Sequence, residues 1–436
     1  MTNLDKIGRS LTRRNLMLGG AGVVGAAGVG ALASRKSDAS GPRQEYYLAM
    51  QDALMRAGVG TPTLVIDEAR LNANIDALIG ALPEGMSYRI VAKSLPSLDL
   101  ISRVSQRTGS KRLMTFNLSM LEALSDDMPE ADQMLGKPLP VAAARSYFQD
   151  NSFLPRARGN VQWLIDSPER LKDYLALADS NNEPMRINIE LDVGLHRGGV
   201  TPDDGLGDML TMIKEQPNLI FSGLMGYEPH VGGVPVSGGR RERAFEQALN
   251  IYRASLAQVK GILGESALDG ATLNAAGSST FKLYKNTEVA NEVAVGTALV
   301  KPNHYDIDAL SDFAASSFIA TPVIKSFEET RLAGQAPWRD SMRRFFDPNL
   351  DHTIFVFGGN WKADPVDPKG LRHNHLSPRS SNQDMLNGGQ ELNIKRGEFV
   401  FFRPHQSEAV FLQFGDIALY RDDEIVEYWP VFPAAA

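Results

Sequence analysis

Lys93 follows a run of β-forming residues, Tyr88-Arg89-Ile90-Val91-Ala92, so it stands where a strand would hand over to a loop. A lysine amine partly withdrawn from water has a depressed pKa and attacks an aldehyde to form a Schiff base. Asp192-Val193-Gly194-Leu195-His196-Arg197-Gly198-Gly199-Val200 follows another such run. Its glycines permit a tight turn, Arg197 suits a carboxylate or a ring nitrogen, and His196 suits packing on a ring face. Gly277-Ser278-Ser279-Thr280 offers amides and hydroxyls that can cradle a phosphate ahead of a helical run beginning at Phe281. Tyr227 and His230, within Gly226-Tyr227-Glu228-Pro229-His230-Val231-Gly232-Gly233, are candidate proton acceptors, while Glu228 reads as a solvated carboxylate.

Each feature has a plainer reading by itself: an exposed strand-end lysine, an ordinary βα loop, a helix N-cap, a structural histidine. A lysine, an anion cradle and an Arg/His loop on separate strand ends together point to pyridoxal 5'-phosphate (PLP) and a small amino-acid substrate. The absence of cysteine removes disulfides, thiolate zinc sites and cysteine nucleophiles. A formal charge of −7 without a concentrated basic patch argues against nucleic acid as a partner.

From Thr61 onward, short β-rich runs alternate with amphipathic helical stretches, the pattern of βα units. After a strand near Leu64-Val65-Ile66 and a helix carrying Leu71, Ile75 and Leu78, eight runs qualify as barrel strands. They are Tyr88–Val91, Leu113–Phe116, Leu135–Val141, Val161–Ile165, Ile187–Leu191, Ile220–Met225, Thr272–Ala275 and Val293–Leu299. The expected fold class is α/β, a (β/α)8 barrel over 61–306 followed by a mostly-β domain over 307–436. In that second part Thr353–Phe357, Phe399–Phe402, Val410–Phe414, Ile417–Tyr420 and Ile425–Trp429 read as strands, and Asp364 to Pro378 as a loop.

Residues 34–60 read as a linker with a short helix around Tyr46 to Arg56. Ahead of them, Lys6, Arg9, Arg13 and Arg14 precede a Gly/Ala-rich apolar run from Leu16 to Ala33. The pair Arg13-Arg14 resembles a twin-arginine export signal over 1–33, which would engage the export machinery and deliver the protein to the periplasm. The alternative is an uncleaved segment that tethers it to the membrane.

These segments resemble the fold-type III PLP enzymes, specifically the D-threonine aldolase and D-serine dehydratase-like group with its alanine racemase-type barrel. Thr61 to Asp67 with Leu71, Asn74 and Ile75, Val91-Ala92-Lys93-Ser94, Asp192-Val193-Gly194 with Arg197 and Gly199, and Gly277 to Thr280 carry the resemblance, which extends to the C-terminus. It implies that Lys93 holds the cofactor, that the protein is a homodimer whose site is completed by the partner's β domain, and that a C-terminal His-x-Cys or His-x-Asp pair binds a divalent metal beside the substrate hydroxyl. Here that line reads His405-Gln406-Ser407-Glu408, with a poor ligand at Ser407 and Glu408 one residue out of register. Ser380 to Asp384 likewise lacks the glutamate and histidine of the family's stretch. The implied activity is a lyase acting on a D-amino acid with a β-hydroxyl, with His230 or His405 handling the proton. The alternatives are a racemase, using Tyr227 or a tyrosine of a partner chain as a second base, and an exported barrel that binds PLP or an amino acid without turnover.

Overall fold

Short runs rich in β-branched and large apolar residues set the strand pattern of the protein. The computed structural model describes residues 35–150 and 154–433, so the export segment expected over 1–33 lies outside the described residues. Strand β1 (Thr63–Asp67) is buried throughout, and its last residue, Asp67, caps the helix Glu68–Ala81 by accepting from the Arg70 amide. That helix turns Leu71, Asn74, Ile75 and Leu78 inward.

The barrel strands are β2 (Ser87–Val91), β3 (Arg112–Thr115), β4 (Asp132–Leu135), β5 (Val161–Ile165), β6 (Met185–Leu191), β7 (Leu219–Gly226), β8 (Thr272–Ala275) and β9 (Glu292–Val295). They close into an eight-stranded barrel, with β2 pairing in parallel with β9 through Ser87↔Glu292 and Ile90↔Val295. The expected (β/α)8 architecture is therefore present. Two expected strands are corrected: Leu135–Val141 shares only Leu135 with β4, and Val293–Leu299 runs past the end of β9. β4 stops at Leu135 because Pro138 and Pro140 cannot donate to a ladder, and Val141 already begins a helix. β9 stops before Gly296, after which Thr297–Val300 forms a helical turn.

The barrel interior is not uniformly apolar. Arg89 and Glu292, both fully buried, pair at 2.5 Å, and Arg89 also reaches Asp132 at 2.7 Å. Gln162 donates to Asp132 and Thr272, Asn188 to Gln162, and Asn274 to Glu292. The buried charges are thus paired and hydrogen-bonded in a belt across the barrel, which is what allows ions to be buried there.

By compactness the chain forms two units. One contains 52–320, 361–363 and 402–433; the other contains 35–51, 321–360 and 364–401. This division differs from a single break at 306/307, because the chain returns: within the first unit β1 pairs antiparallel with Ser317–Ala320 and parallel with the strand Ile417–Arg421, which continues into the hairpin strand Glu424–Trp429. In the second unit, Val323–Phe327 pairs with His352–Phe357, which pairs with Gln383–Gly388, and that with Arg372–His373. Two further expectations are corrected. Val410–Phe414 is not a strand; Glu408–Phe411 forms a helical turn with Val410 and Phe411 buried, an ambiguity inherent in short apolar runs. The stretch expected as a loop carries the strands Ala363–Asp367 and Arg372–His373.

Candidate active site

Lys93 lies in a single 3-10 turn, Ala92–Ser94, directly after β2, so its side chain leaves the C-terminal end of the barrel. A cavity opens there, with Val91, Met114, Met225 and Ala294 among its apolar walls. Lys93 Nζ stands 4.6 Å over the Phe116 ring and 3.9 Å from Glu408 Oε1. Burial holds the amine below the usual lysine range; Glu408 opposes this, while Arg197 and Lys137 add to it. Glu408 also accepts from Ser94 Oγ at 3.3 Å, and Ser94 in turn bonds Thr297 Oγ1 at 2.9 Å.

The loop after β6 is built on Asp192, whose Oδ1 accepts from the Gly194 and His196 amides and whose Oδ2 faces His196 Nδ1 at 2.9 Å. That turn sends neighbouring side chains opposite ways. Arg197 enters the cavity and lies 5.1 Å over the Tyr227 ring. His196, at φ 55°, keeps its side chain 82% exposed and does not line the cavity. The expectation that His196 packs on a cofactor ring is corrected accordingly: Asp192 holds it outward.

Tyr227 lines the cavity, and burial pushes its phenol up to about 12. His230 does not line it; the ring turns toward Gly194, and burial lowers its pKa, with His196 adding to the effect and Asp192 opposing it. Its expected part in proton transfer has no support from this placement. Glu228 is not solvated: its carboxyl is buried, accepts from the Ala276 amide at 3.3 Å, and is pushed up by burial against bonds from Thr280, Ala276 and Tyr284.

Of the candidate cradle, Gly277 and Ser278 line the cavity; Ser279 and Thr280 do not. The Gly277 amide is taken by Thr280 Oγ1 at 3.1 Å, and Ser278 Oγ accepts from the Ala298 amide at 3.0 Å. The Ser278 and Ser279 amides carry no hydrogen bond among the described residues, leaving donors for an anion. The expected helix after the loop is only a 3-10 turn, Phe281–Leu283, so loop amides and hydroxyls, rather than a helix dipole, are what an anion would meet. Gly136, Gly277 and Gly296 keep the walls apart: a Cβ at these sites would meet Phe116 at 2.4 Å, Tyr227 at 2.7 Å and the Val91 carbonyl at 2.8 Å.

Sequence reasoning missed Ser94, Phe116, Gly136, Asn274, Gly296, Thr297 and Tyr305 as cavity residues. Phe116, Gly136 and Gly296 are each the first residue after a barrel strand, which was the available signal.

The residues present fit PLP: a half-buried amine at the cavity, free loop amides beside the Ser278 hydroxyl, and glycines that hold the space open. They do not fit a divalent metal. His405 stacks on His304 at 4.7 Å, Ser407 is a buried hydroxyl, and Glu408 turns to Lys93 and Ser94. Among the described residues no group of three or more His, Asp or Glu side chains could hold a metal ion.

Barrel, rim lysine and cavity define an α/β-barrel protein with a nucleophilic amine at the C-terminal mouth. The chain belongs to the family of the alanine racemase N-terminal domain, which matches residues 66–304. The 3-hydroxy-D-aspartate aldolase of Paracoccus denitrificans (strain Pd 1222) is 23% identical over 270 residues, covering 60% of this chain and 66% of that protein, just under two thirds of its length. The D-serine dehydratase of Schizosaccharomyces pombe is 25% identical over 187 residues, 40% of this chain and 42% of that protein. A solved D-threonine aldolase from Filomicrobium marinum superposes with a TM-score of 0.69 at 17% identity, covering 86% of this chain and 96% of that one. At that identity the likeness shows the fold alone.

Proposed function

We propose that the protein is a PLP-dependent lyase acting on a D-amino acid that carries a β-hydroxyl, by retro-aldol cleavage or dehydration. The observation that carries this reading is the Lys93 amine, lowered by burial, in a cavity that also holds Arg197, Tyr227 and the Gly277–Ser278 loop. Its substrate class is supported by the relatives' names, all of which concern hydroxylated or small D-amino acids. The protein is exported through residues 1–33 to the periplasm, supported by Arg13-Arg14 and the apolar run after them, and acts as a homodimer, supported by the family resemblance.

Lys93 would hold the cofactor, and Ser278 with its loop amides would take the phosphate. Bound there, PLP supplies an electron sink for the pair left at Cα when a substrate bond breaks. Arg197, fixed against the Tyr227 ring, orients the substrate carboxylate. Tyr227, with its phenol pushed up to about 12, stays protonated at neutral pH and acts as a donor rather than a base. A lowered pKa leaves more of the Lys93 amine unprotonated than in an ordinary lysine and so able to take up a proton, with Glu408 beside it to stabilise the resulting charge.

The test is the visible absorbance of PLP-loaded protein, wild type beside Lys93→Ala, before and after D-threonine, D-serine and D-alanine, with a parallel series in EDTA. A band lost in Lys93→Ala, perturbed by a β-hydroxy substrate with aldehyde or keto-acid release, and unchanged by the chelator is expected. No band after loading overturns the cofactor assignment. A band with racemisation of D-alanine and no cleavage overturns the lyase.

A further inference from the structure

The helix Pro337–Phe346 has an outward face that its own unit does not cover. Trp338, Met342 and Phe345, spaced four and three residues apart, are 61%, 49% and 48% exposed. That spacing places them on one stripe of the helix. The opposite side is anchored: Asp340 is buried and pairs with Arg343, and Arg344 pairs with Glu329.

Two cations border the stripe without a carboxylate partner among the described residues. Arg339 lies 5.4 Å over the Trp338 ring, and Arg35 lies 5.6 Å over the Phe345 ring. Each guanidinium thus sits on an aromatic ring of the face, where an anionic headgroup can reach it while the ring goes deeper.

The chain enters the described structure at this place. Residues 1–34 lead directly to Arg35, and the Lys36 amide donates to the Phe346 carbonyl at 2.8 Å. The preceding segment contains the apolar run from Leu16 to Ala33 with basic residues ahead of it, the composition of a segment that enters a membrane. Hence the stripe adjoins the point where that segment joins the folded protein.

We propose that the Trp338–Met342–Phe345 face docks in the interfacial layer of an anionic bilayer, with Arg35 and Arg339 on lipid phosphates. A basic amphipathic helix with aromatic residues on its apolar side lies in the plane of such an interface. The proposal is independent of the chemistry at Lys93, since no residue of the face lines that cavity.

Tryptophan fluorescence tests it on the full chain. Of the four tryptophans, Trp163, Trp361 and Trp429 are buried, so Trp338 reports the surface. With vesicles of phosphatidylglycerol and phosphatidylethanolamine carrying brominated acyl chains, quenching is expected in the wild type and is expected to be lost in Trp338→Phe. Arg35→Gln with Arg339→Gln should weaken the quenching titration by about thirtyfold, whereas phosphatidylcholine vesicles should quench little. Absence of quenching in the wild type, or equal quenching in Trp338→Phe, overturns the proposal even if residues 1–34 bind the vesicle. Sedimentation velocity on Met342→Ser with Phe345→Ser supplies the other arm: dissociation of a dimer by these substitutions, with Trp338 unquenched, would assign the face to a second copy and overturn it.

Discussion

Glu228→Ala should damage the phosphate loop and the fold together, whereas Glu228→Gln should preserve both. In the wild type the carboxyl accepts from the Ala276 amide, and Ala276 holds φ 66°, a left-handed conformation that a non-glycine residue adopts at a cost of about 1–3 kcal/mol. Removing the carboxyl leaves that buried amide unsatisfied, which costs about 1–3 kcal/mol, and a small cavity adds to it, for a total of about 2–4 kcal/mol. The glutamine keeps an acceptor oxygen and the side-chain volume. Because the folded-state pKa of Glu228 is raised above its ordinary 4.5, its contribution is fully present below that value and is lost as pH rises through the folded pKa. Glutamine cannot ionise, so Glu228→Gln should gain stability relative to wild type as pH rises. Thermal unfolding from about pH 5 to about pH 8, with PLP affinity read from absorbance at each point, makes both comparisons. An alanine variant that melts and binds PLP like the wild type, or a glutamine advantage that grows as pH falls, would refute the reasoning.

Gly136→Ala should weaken PLP binding in an absorbance titration and cost about 1–3 kcal/mol in thermal melting, because its Cβ would stand 2.4 Å from the Phe116 ring that carries the Lys93 amine. Glu292→Ala should cost about 3–5 kcal/mol in urea unfolding, since Arg89 would keep its charge in the barrel interior without its main partner. Glu292→Gln, which can still accept from Arg89, should cost less.

The barrel was legible because its strands are bounded by glycine, proline and polar residues; Val161–Ile165 and Thr272–Ala275 were delimited to the residue. Where turn chemistry was overlooked, as at Pro138 and Pro140 after β4, the strand was placed over the turn and shared only Leu135 with the real one. Lys93, Arg197, Tyr227, Gly277 and Ser278 were found from their places at strand ends, and the cavity unites them. His196 and Glu228 were misread for a common reason: which way a side chain leaves a loop depends on hydrogen bonds made elsewhere in it. Asp192 decides the first, and the Ala276 amide meets the second. Glu408 was visible only as an out-of-register metal ligand, since no local pattern tells that a turn near the C-terminus faces a lysine more than three hundred residues earlier.

The belt of Arg89, Asp132, Gln162, Asn188, Asn274 and Glu292 makes the barrel a blind well. Nothing can drain through its floor, so whatever arrives at Lys93 must depart by the route it came in. For a reaction that splits one molecule into two, this imposes a queue: the fragment nearer the mouth leaves first, and the one still held at the bottom blocks the next arrival until it too has gone.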